Sequence, residues 1–331
     1  MWIFSDLVRS MAHRIATVLL LSSLLAGCGG NPWAPVPETP VPVNPNPPPN
    51  VPDDFIPEEA VSGSVESVAL AGWTPASTSI RVAMDAQVLP GVAGDFTRDA
   101  AFDVVDGGVT YFGYSYQNVP GGDNRKAVVL VRASGGASAA VAMEPGQFAN
   151  GAPDMYHSGG SLYRADVFRR PTGGGLFNYR GSYAGLLNVG PAVGVGPGNL
   201  APTEPYRTSG TALITADFTR MALSGGVTNR VVVGAPGDPE LPDALPDLAL
   251  WTTGIDANGD FSGVVYRGDD APDPTPLSQN WQAAGRYDGI FSGTAEDVAV
   301  IMLFNPIGGT AVWEQGMIVA GCTYSSDGSC P

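Results

Sequence analysis

The sequence DANGD, from Asp256 to Asp260, places oxygen-bearing side chains at alternating positions. Asp256, Asn258 and Asp260 could each offer a ligand to a hard cation, and Gly259 allows a tight turn. Alternating oxygen ligands on a short loop are typical of the first half of a calcium site. No bidentate glutamate follows at the usual distance, and Asn-Gly next to Asp is equally typical of a hairpin turn. The motif leaves calcium binding and a plain turn open.

Two cysteines, Cys322 and Cys330, lie close together in the sequence GCTYSSDGSCP. Spare cysteines usually pair outside the cytoplasm, and a short loop containing Asp327 and Gly328 can close such a bridge. The alternative, a zinc site, would need further Cys or His ligands. We therefore predict a disulfide between Cys322 and Cys330.

Histidine is scarce, with two residues in the chain. A Ser-His-Asp or Cys-His arrangement in the mature chain could use only His157, which we interpret as an exposed turn residue. The sequence has no nucleophile elbow, no phosphate-binding GxxxxGK and no HExxH motif. A carboxylate pair that meets only in the fold stays open. We predict a protein that is not an enzyme and has no cofactor.

Cys28 directly follows an apolar run, Ile15–Leu25, which basic residues precede. The run is shorter than the roughly 20 apolar residues of a membrane span, and its flanks are typical of an export signal. The sequence LAGC at 25–28 resembles the bacterial lipoprotein signal. By that resemblance residues 1–27 are removed, and Cys28 carries a diacylglyceryl thioether and an acylated amine, with fatty chains such as palmitate. An ordinary secretory signal with a chance cysteine is the alternative. Gly29, in place of the aspartate of inner-membrane lipoproteins, favours the outer membrane.

Residues 28–57 are dense in proline, with Pro-x-Pro spacing at Pro35, Pro37, Pro40 and Pro42. Proline fixes φ and removes a hydrogen-bond donor, so helices and central strands are unavailable. Extended polyproline II rises about 3.1 Å per residue, so about 25 residues reach about 80 Å. We predict a semi-rigid tether. A ligand for a proline-binding module is the alternative.

The chain is strongly acidic, with 16 Lys and Arg against 32 Asp and Glu and a net charge of −16. This charge argues against nucleic acid as a partner, since such binding needs a basic face. It also argues against a body that lies flat on anionic lipid, although solubility alone can explain it. The bilayer contact that we predict is therefore the acylated Cys28.

After Glu59 the chain consists of short runs rich in Val, Ile, Thr, Tyr and Phe, bounded by turn residues. This pattern predicts an antiparallel β-sandwich or barrel. In VTYFGYSYQ the aromatic face of Thr110, Phe112, Tyr114 and Tyr116 is predicted to be core. Gly293–Ile301 is a short helical candidate. The predicted strands are Ser79–Ala86, Val109–Tyr116, Ala127–Ala133, Ser161–Phe168, Phe177–Leu187, Thr211–Thr215, Arg230–Gly234, Leu248–Thr253, Gly263–Tyr266 and Ala311–Val319.

Four motifs in the second half occur in a familiar order: RGSYAGLL (180–187), ITADFTRMALSGGV (214–227), GIDANGDFSGVV (254–265) and GRYDGIFSGTAEDVAVIM (285–302). This order resembles the C-terminal β-barrel of transferrin-binding protein B and related surface lipoproteins, over about residues 176–319. The family hallmark usually reads Phe-x-Gly-x-x-Ala-x-Glu-x-x-Gly-Gly. Here one residue is missing between Gly293 and Ala295, and Ala299 and Val300 stand where the glycines belong.

The resemblance implies an all-β chain. It has an antiparallel eight-stranded barrel at 176–331, preceded by a smaller β-rich, handle-like domain at 58–175. It also implies a lipid-anchored outer-membrane protein at the cell surface, which binds a protein or an iron source. The expected binding loops are Gly234–Pro246 and Arg267–Gln279. Two alternatives stay open: a periplasm-facing lipoprotein that holds a small solute inside the barrel, and an acidic-pair hydrolase.

Overall fold

The structure is a computed structural model that describes residues 65–84, 93–117, 126–144, 157–189, 204–234, 244–268, 281–307, 312–325 and 330. Within these ranges the regular structure is β-strand, apart from one short 3₁₀ turn at Ala100–Phe102. None of the described residues belongs to a helix that is long and apolar enough to cross a membrane. The predicted all-β class is confirmed.

The first part of the chain forms an antiparallel sheet of eight strands, here called the handle sheet. Its order is β1-β2-β3-β5-β6-β7-β8, and β4 pairs with β5. Strands β1 and β8 lie side by side, which makes the sheet nearly closed. The strands are β1 (Val65–Val68), β2 (Ser79–Met84), β3 (Ala93–Arg98), β4 (Val104–Asp106), β5 (Val109–Tyr116), β6 (Ala127–Ser134), β7 (Ala137–Glu144) and β8 (His157–Arg164).

The second part forms the closed antiparallel barrel that the sequence predicts. Its ring is β9-β10-β11-β13-β14-β15-β16-β17, and β17 pairs back onto β9, while the two-residue β12 pairs with β11. The strands are β9 (Leu176–Val189), β10 (Tyr206–Asp217), β11 (Ala222–Val233), β12 (Ala244–Leu245), β13 (Asp247–Gly254), β14 (Asp260–Gly268), β15 (Trp281–Ser292), β16 (Asp297–Phe304) and β17 (Val312–Ser325).

One wall of the barrel is shared by two apolar cores. Successive side chains of a strand point to opposite faces, so Tyr179 and Tyr183 of β9 point into the barrel. Ala184 and Leu186 of the same strand instead pack against the handle sheet. A third core lies on the far face of the handle sheet and contains Tyr114. The prediction that the aromatic face of β5 is core is confirmed.

A buried carboxylate joins the two sheets at the edge of this shared wall. Asp297, the first residue of β16, accepts hydrogen bonds from Ser134 Oγ at 2.8 Å and from the Gly136 N–H at 2.9 Å. Both donors belong to the turn region between β6 and β7 of the handle sheet. Burial raises the pKa of Asp297, and the two hydrogen bonds act in the opposite direction.

The helical candidate Gly293–Ile301 is wrong. Residues 293–296 form a tight turn, in which Ala295 has a φ of 66°, and β16 begins at Asp297. All eight residues of β16 are buried. A strand that is covered on both faces is apolar at nearly every position, here at all but Asp297, so its sequence lacks the alternation that identifies a half-exposed strand.

The segment 165–175 connects the two sheets and crosses one end of the barrel; we call it the strap. Its Phe168 is buried and belongs to the barrel core, where its ring centroid lies 6.0 Å from that of Phe218 and 6.2 Å from that of Phe291. Gly259 faces the same ring, and a Cβ at this position would collide with it. Phe168 therefore closes the barrel end.

Hydrogen bonds tie the strap and the end of β8 to all three tight turns at this end. Arg164 donates to the Asn258 carbonyl in the turn between β13 and β14. The Arg169 N–H donates to the Gly293 carbonyl at 2.7 Å, in the turn between β15 and β16. Arg170 donates to the carbonyl oxygens of Phe218 and Thr219, at 2.8 and 3.0 Å. The strap is thus part of the barrel structure.

Substituting Phe168 tests this role of the strap. We expect Phe168→Ala to lower the free energy of unfolding by about 3–5 kcal/mol, since it removes a buried aromatic ring and leaves a cavity. The neighbouring Val167 is 80% exposed, so Val167→Ala is the matched control and should change stability by less than about 0.5 kcal/mol. Urea unfolding of both variants measures the difference. Equal effects at the two positions would contradict a closing role for Phe168.

Candidate functional site

The connections between barrel strands differ sharply at the two ends of the barrel. Because neighbouring strands are antiparallel, every second connection returns to the same end. Residues 190–205, 234–246, 269–280 and 305–311 join strand ends at one end, which we call the loop end. The other end, here the turn end, carries the short turns 218–221, 255–259 and 293–296 together with the strap.

Both sequence-predicted binding loops belong to the loop end. Gly234–Pro246 joins β11 to β13, and Arg267–Gln279 extends from the last residues of β14 toward β15. Residues 235–243 and 269–279 lie outside the described residues. Arg267 is described, and its guanidinium donates to the Asn305 carbonyl at 3.0 Å and to Gln282 Oε1 at 2.8 Å.

A charged cluster lies inside the barrel near the loop end. It consists of Arg230 near the end of β11, Glu314 near the start of β17, Thr208 near the start of β10, and Tyr183 of β9; we call it the Arg230 cluster. The side chains of Arg230 and Glu314 are fully buried and form an ion pair. Glu314 Oε1 also accepts hydrogen bonds from the hydroxyls of Tyr183 and Thr208, both at 2.5 Å. The Glu314 carboxylate is therefore fully engaged.

The guanidinium of Arg230 has three further neighbours. Its Nη1 donates to the Pro246 carbonyl at 2.7 Å. Its centre lies 5.6 Å from the ring centroid of Tyr183 and 5.0 Å from that of Phe304, which is within the range of cation–π attraction. Arg230 Nε has no hydrogen-bond partner among the described residues. Burial and the neighbouring Glu314 charge raise the pKa of Tyr183, which keeps its hydroxyl a donor.

The Arg230 cluster was missed by the sequence reasoning. Arg230 precedes Val231, Val232 and Val233, and Glu314 lies between Trp313 and Gln315. An isolated charge inside a strand is a signal for a buried pair, but the two residues are far apart in sequence. Only the closure of β17 onto β9 and of β10 onto β11 brings them together.

The predicted calcium residues form a compact turn between β13 and β14. Asp256 Oδ1 accepts the N–H groups of Asn258 at 2.7 Å and Asp260 at 2.9 Å. The Asp260 carboxylate forms an ion pair with Arg164. Across the part of the chain that the structure describes, no group of three or more His, Cys, Asp or Glu could hold a metal ion. The hydrogen bonds are those of a turn, and calcium binding stays a prediction.

The other predicted residues are Cys28 with the tether, the two cysteines near the C-terminus, and His157. Cys28 and the tether lie outside the described residues. The Cα atoms of Cys322 and Cys330 are 5.8 Å apart, a separation that a disulfide spans, and their pairing stays a prediction. The interpretation of His157 as an exposed turn residue is wrong, because His157 is the half-buried first residue of β8 and pairs in register with Glu144.

Comparisons with known proteins return structural neighbours only. No family model and no curated protein matches this chain. Intact Ap-TbpB, with its N and C lobes, is 14% identical over 71% of this chain and 44% of its own length, with a TM-score of 0.35. Transferrin-binding protein B from Haemophilus parasuis is 13% identical over 70% of this chain and 42% of its own length, with a TM-score of 0.36. The haemoglobin receptor HpuA from Kingella denitrificans is 10% identical over 75% of this chain and 83% of its own length, with a TM-score of 0.32.

These structures include the family that the sequence resembles, transferrin-binding protein B. The chain spans less than half the length of the first two proteins. TM-scores below 0.5 carry no inference about a binding site or a partner. The description of the site therefore depends on its own geometry, above all on the loop end and the Arg230 cluster.

A double-mutant cycle tests whether Arg230 and Glu314 act as a pair. We expect Arg230→Met and Glu314→Leu each to cost about 3–5 kcal/mol, because each leaves an unpaired buried charge. The double variant should lose much less free energy of unfolding than the sum of the two single variants. The loss that remains comes from the hydroxyls of Tyr183 and Thr208, which no longer have their acceptor. Urea unfolding gives the coupling energy.

The exposed pair Arg81 and Asp95 is the matched control for this cycle. Its atoms are 3.0 Å apart, and the side chains are 57% and 66% exposed. Substituting both residues by alanine should show a coupling of about 0–1 kcal/mol. Additive costs at Arg230 and Glu314 would show that the buried residues are not coupled.

Proposed function

We propose that this chain is a non-enzymatic, lipid-anchored binding protein that engages a macromolecular partner through the loop end of its barrel. The observation that carries the proposal is the asymmetry of the barrel. Four long connections share one end, and the other end is closed by tight turns and the strap. Binding residues are commonly found on loops that a rigid scaffold positions, and this barrel is such a scaffold.

The filled interior of the barrel favours binding at the loops over a small solute inside the barrel. Large side chains without exposure occupy the interior, among them Tyr179, Tyr183, Phe218, Phe291 and Phe304. Small barrels can hold a ligand only where side chains leave room for it. The charged groups of the interior are also engaged, since Arg230 and Glu314 bind each other.

The same geometry favours binding over hydrolysis. Hydrolysis by an acidic pair needs two carboxylates that converge on a substrate. Of the buried carboxylates with assigned contacts, Glu314 is paired with Arg230, and Asp297 accepts two hydrogen bonds from the handle sheet. These two carboxylates have structural partners, which supports a role for the chain without catalysis.

The cellular location that we propose is based on the first residues of the chain. The signal ending at Cys28 and the proline-rich segment 28–57 support an acylated anchor and a tether, with the body held about 80 Å from the membrane at full extension. We place the chain on the outer membrane with its body at the cell surface. By its resemblance to transferrin-binding protein B, the partner is a protein or an iron source.

Protease treatment of intact cells tests the anchor and the exposed location. The chain has no Lys or Arg between Arg14 and Arg81, so trypsin cannot cut the tether. A protease that cuts after glutamate can act at Glu38, Glu58 and Glu59. We expect it to release the body from intact cells while a periplasmic marker protein stays whole.

Two variants serve as controls for this experiment. Replacing the three tether glutamates by glutamine should prevent release. Cys28→Ser should abolish incorporation of a palmitate analogue and shift the chain out of the membrane fraction, whereas Cys322→Ser should keep the label. Protection of the wild-type chain until the cells are permeabilised would contradict a surface location and favour the periplasm-facing alternative.

Partner capture from host fluids tests the loop end itself. We expect the immobilised mature chain to retain a partner, and replacement of residues 269–280 by Gly and Ser to reduce capture at least tenfold. Arg220→Ala at the turn end is the matched control and should capture as the wild type does, since Arg220 is exposed and away from the loops. Capture that survives loop replacement but fails in the control would move the binding site to the turn end.

A further inference from the structure

The Arg230 cluster touches the bases of three of the four long connections. Thr208 lies two residues after Tyr206, where the connection 190–205 enters β10. Pro246 is the last residue of the connection 234–246. Glu314 lies two residues after Val312, where the connection 305–311 enters β17. Thr208, Pro246 and Glu314 are far apart in sequence, but their contacts converge on one guanidinium–carboxylate pair.

Arg230 joins these segments through separate atoms of its guanidinium group. Nη1 donates to the Pro246 carbonyl at 2.7 Å, and Nη2 binds Glu314. Glu314 in turn links Arg230 to β10, because its Oε1 accepts a hydrogen bond from the Thr208 hydroxyl. A planar guanidinium can hold two acceptors in fixed directions, which a lysine ammonium does not do. The backbone of Arg230 also pairs with Leu245 of β12, directly before Pro246.

The fourth connection, 269–280, is held differently. Arg267 and Gln282, on either side of it, bind each other at 2.8 Å, and Arg267 also binds Asn305. These contacts are partly exposed. The loop end therefore has two kinds of contact. The buried pair lies beside the connections 190–205, 234–246 and 305–311, and the partly exposed contacts of Arg267 lie beside the connection 269–280 and also reach Asn305.

A buried ion pair is a poor way to stabilise a barrel, since apolar residues of equal volume are often as good. What apolar residues cannot do is bind the Pro246 carbonyl and, through a carboxylate, the Thr208 hydroxyl. We propose that Arg230 is a positioning residue of the loop end. It holds the bases of three connections in one arrangement, so that the binding surface is formed before the partner arrives. The importance of Arg230 for binding rests on the proposed function. The positioning of the loop bases by Arg230 does not depend on that function.

Hydrogen–deuterium exchange of the full mature chain separates positioning from stability. The informative variant is the double Arg230→Met, Glu314→Leu, in which much of the stability lost in the single variants should return. We expect peptides covering residues 244–250 to exchange at least tenfold faster than in the wild type, because Pro246 has lost its donor. Peptides covering residues 255–262 at the turn end should be unchanged. Phe168→Ala is the matched control. It should accelerate exchange in peptides covering residues 255–262 and leave peptides covering residues 244–250 unchanged.

Two results would overturn the proposal. Wild-type exchange at residues 244–250 in the double variant would show that the pair only fills volume. Equal acceleration at both barrel ends would show a global loss of stability without a local role. Because exchange needs no partner, these outcomes are independent of whether the chain captures a macromolecule. Loss of capture with unchanged exchange would likewise count against positioning by Arg230.

Discussion

The barrel wall formed by β9, β16 and β17 is buried on both faces, and most other features of the structure follow from this constraint. One face lines the barrel interior, and the other packs against the handle sheet. A charged group in such a wall has no access to water, so it is costly to bury without a partner inside the protein. The two acidic residues at its edges meet this requirement: Asp297 binds Ser134 and Gly136, and Glu314 binds Arg230, Tyr183 and Thr208.

The two barrel ends are constrained to different degrees. At the turn end, Phe168 fills the core, and the strap together with Arg164 binds the three tight turns, so an insertion there would break several contacts. At the loop end the connections are long, and each doubling of loop length costs only about 0.6 kcal/mol in closure entropy. Sequence change is therefore least costly at the loop end, provided that the bases of the loops keep their positions. The Arg230 cluster lies at these bases, which links barrel architecture to recognition.

The sequence predicts several strands of both sheets but fails at two strands that are buried at every position. Val109–Tyr116 is predicted with the bounds that the structure shows for β5. In contrast, Ala137–Glu144 and Asp297–Phe304 are buried throughout and show no alternation; the first was missed, and the second was partly assigned to a helix. The barrel itself was predicted from the order of its motifs. The Arg230 cluster could not be, because its members are joined only by closure of the ring.

Many of the few arginines in this acidic chain have structural contacts. Arginines whose guanidinium groups bind backbone carbonyls hold loops, strap and sheets together, and these are Arg98, Arg132, Arg164, Arg170, Arg207, Arg230 and Arg267. These contacts leave the guanidinium charge in place, and the net charge of −16 comes from 32 Asp and Glu against 16 Lys and Arg. An acidic body is repelled by anionic lipid headgroups. Under the proposed function, this repulsion and the predicted tether act in the same direction, since both keep the body away from the membrane.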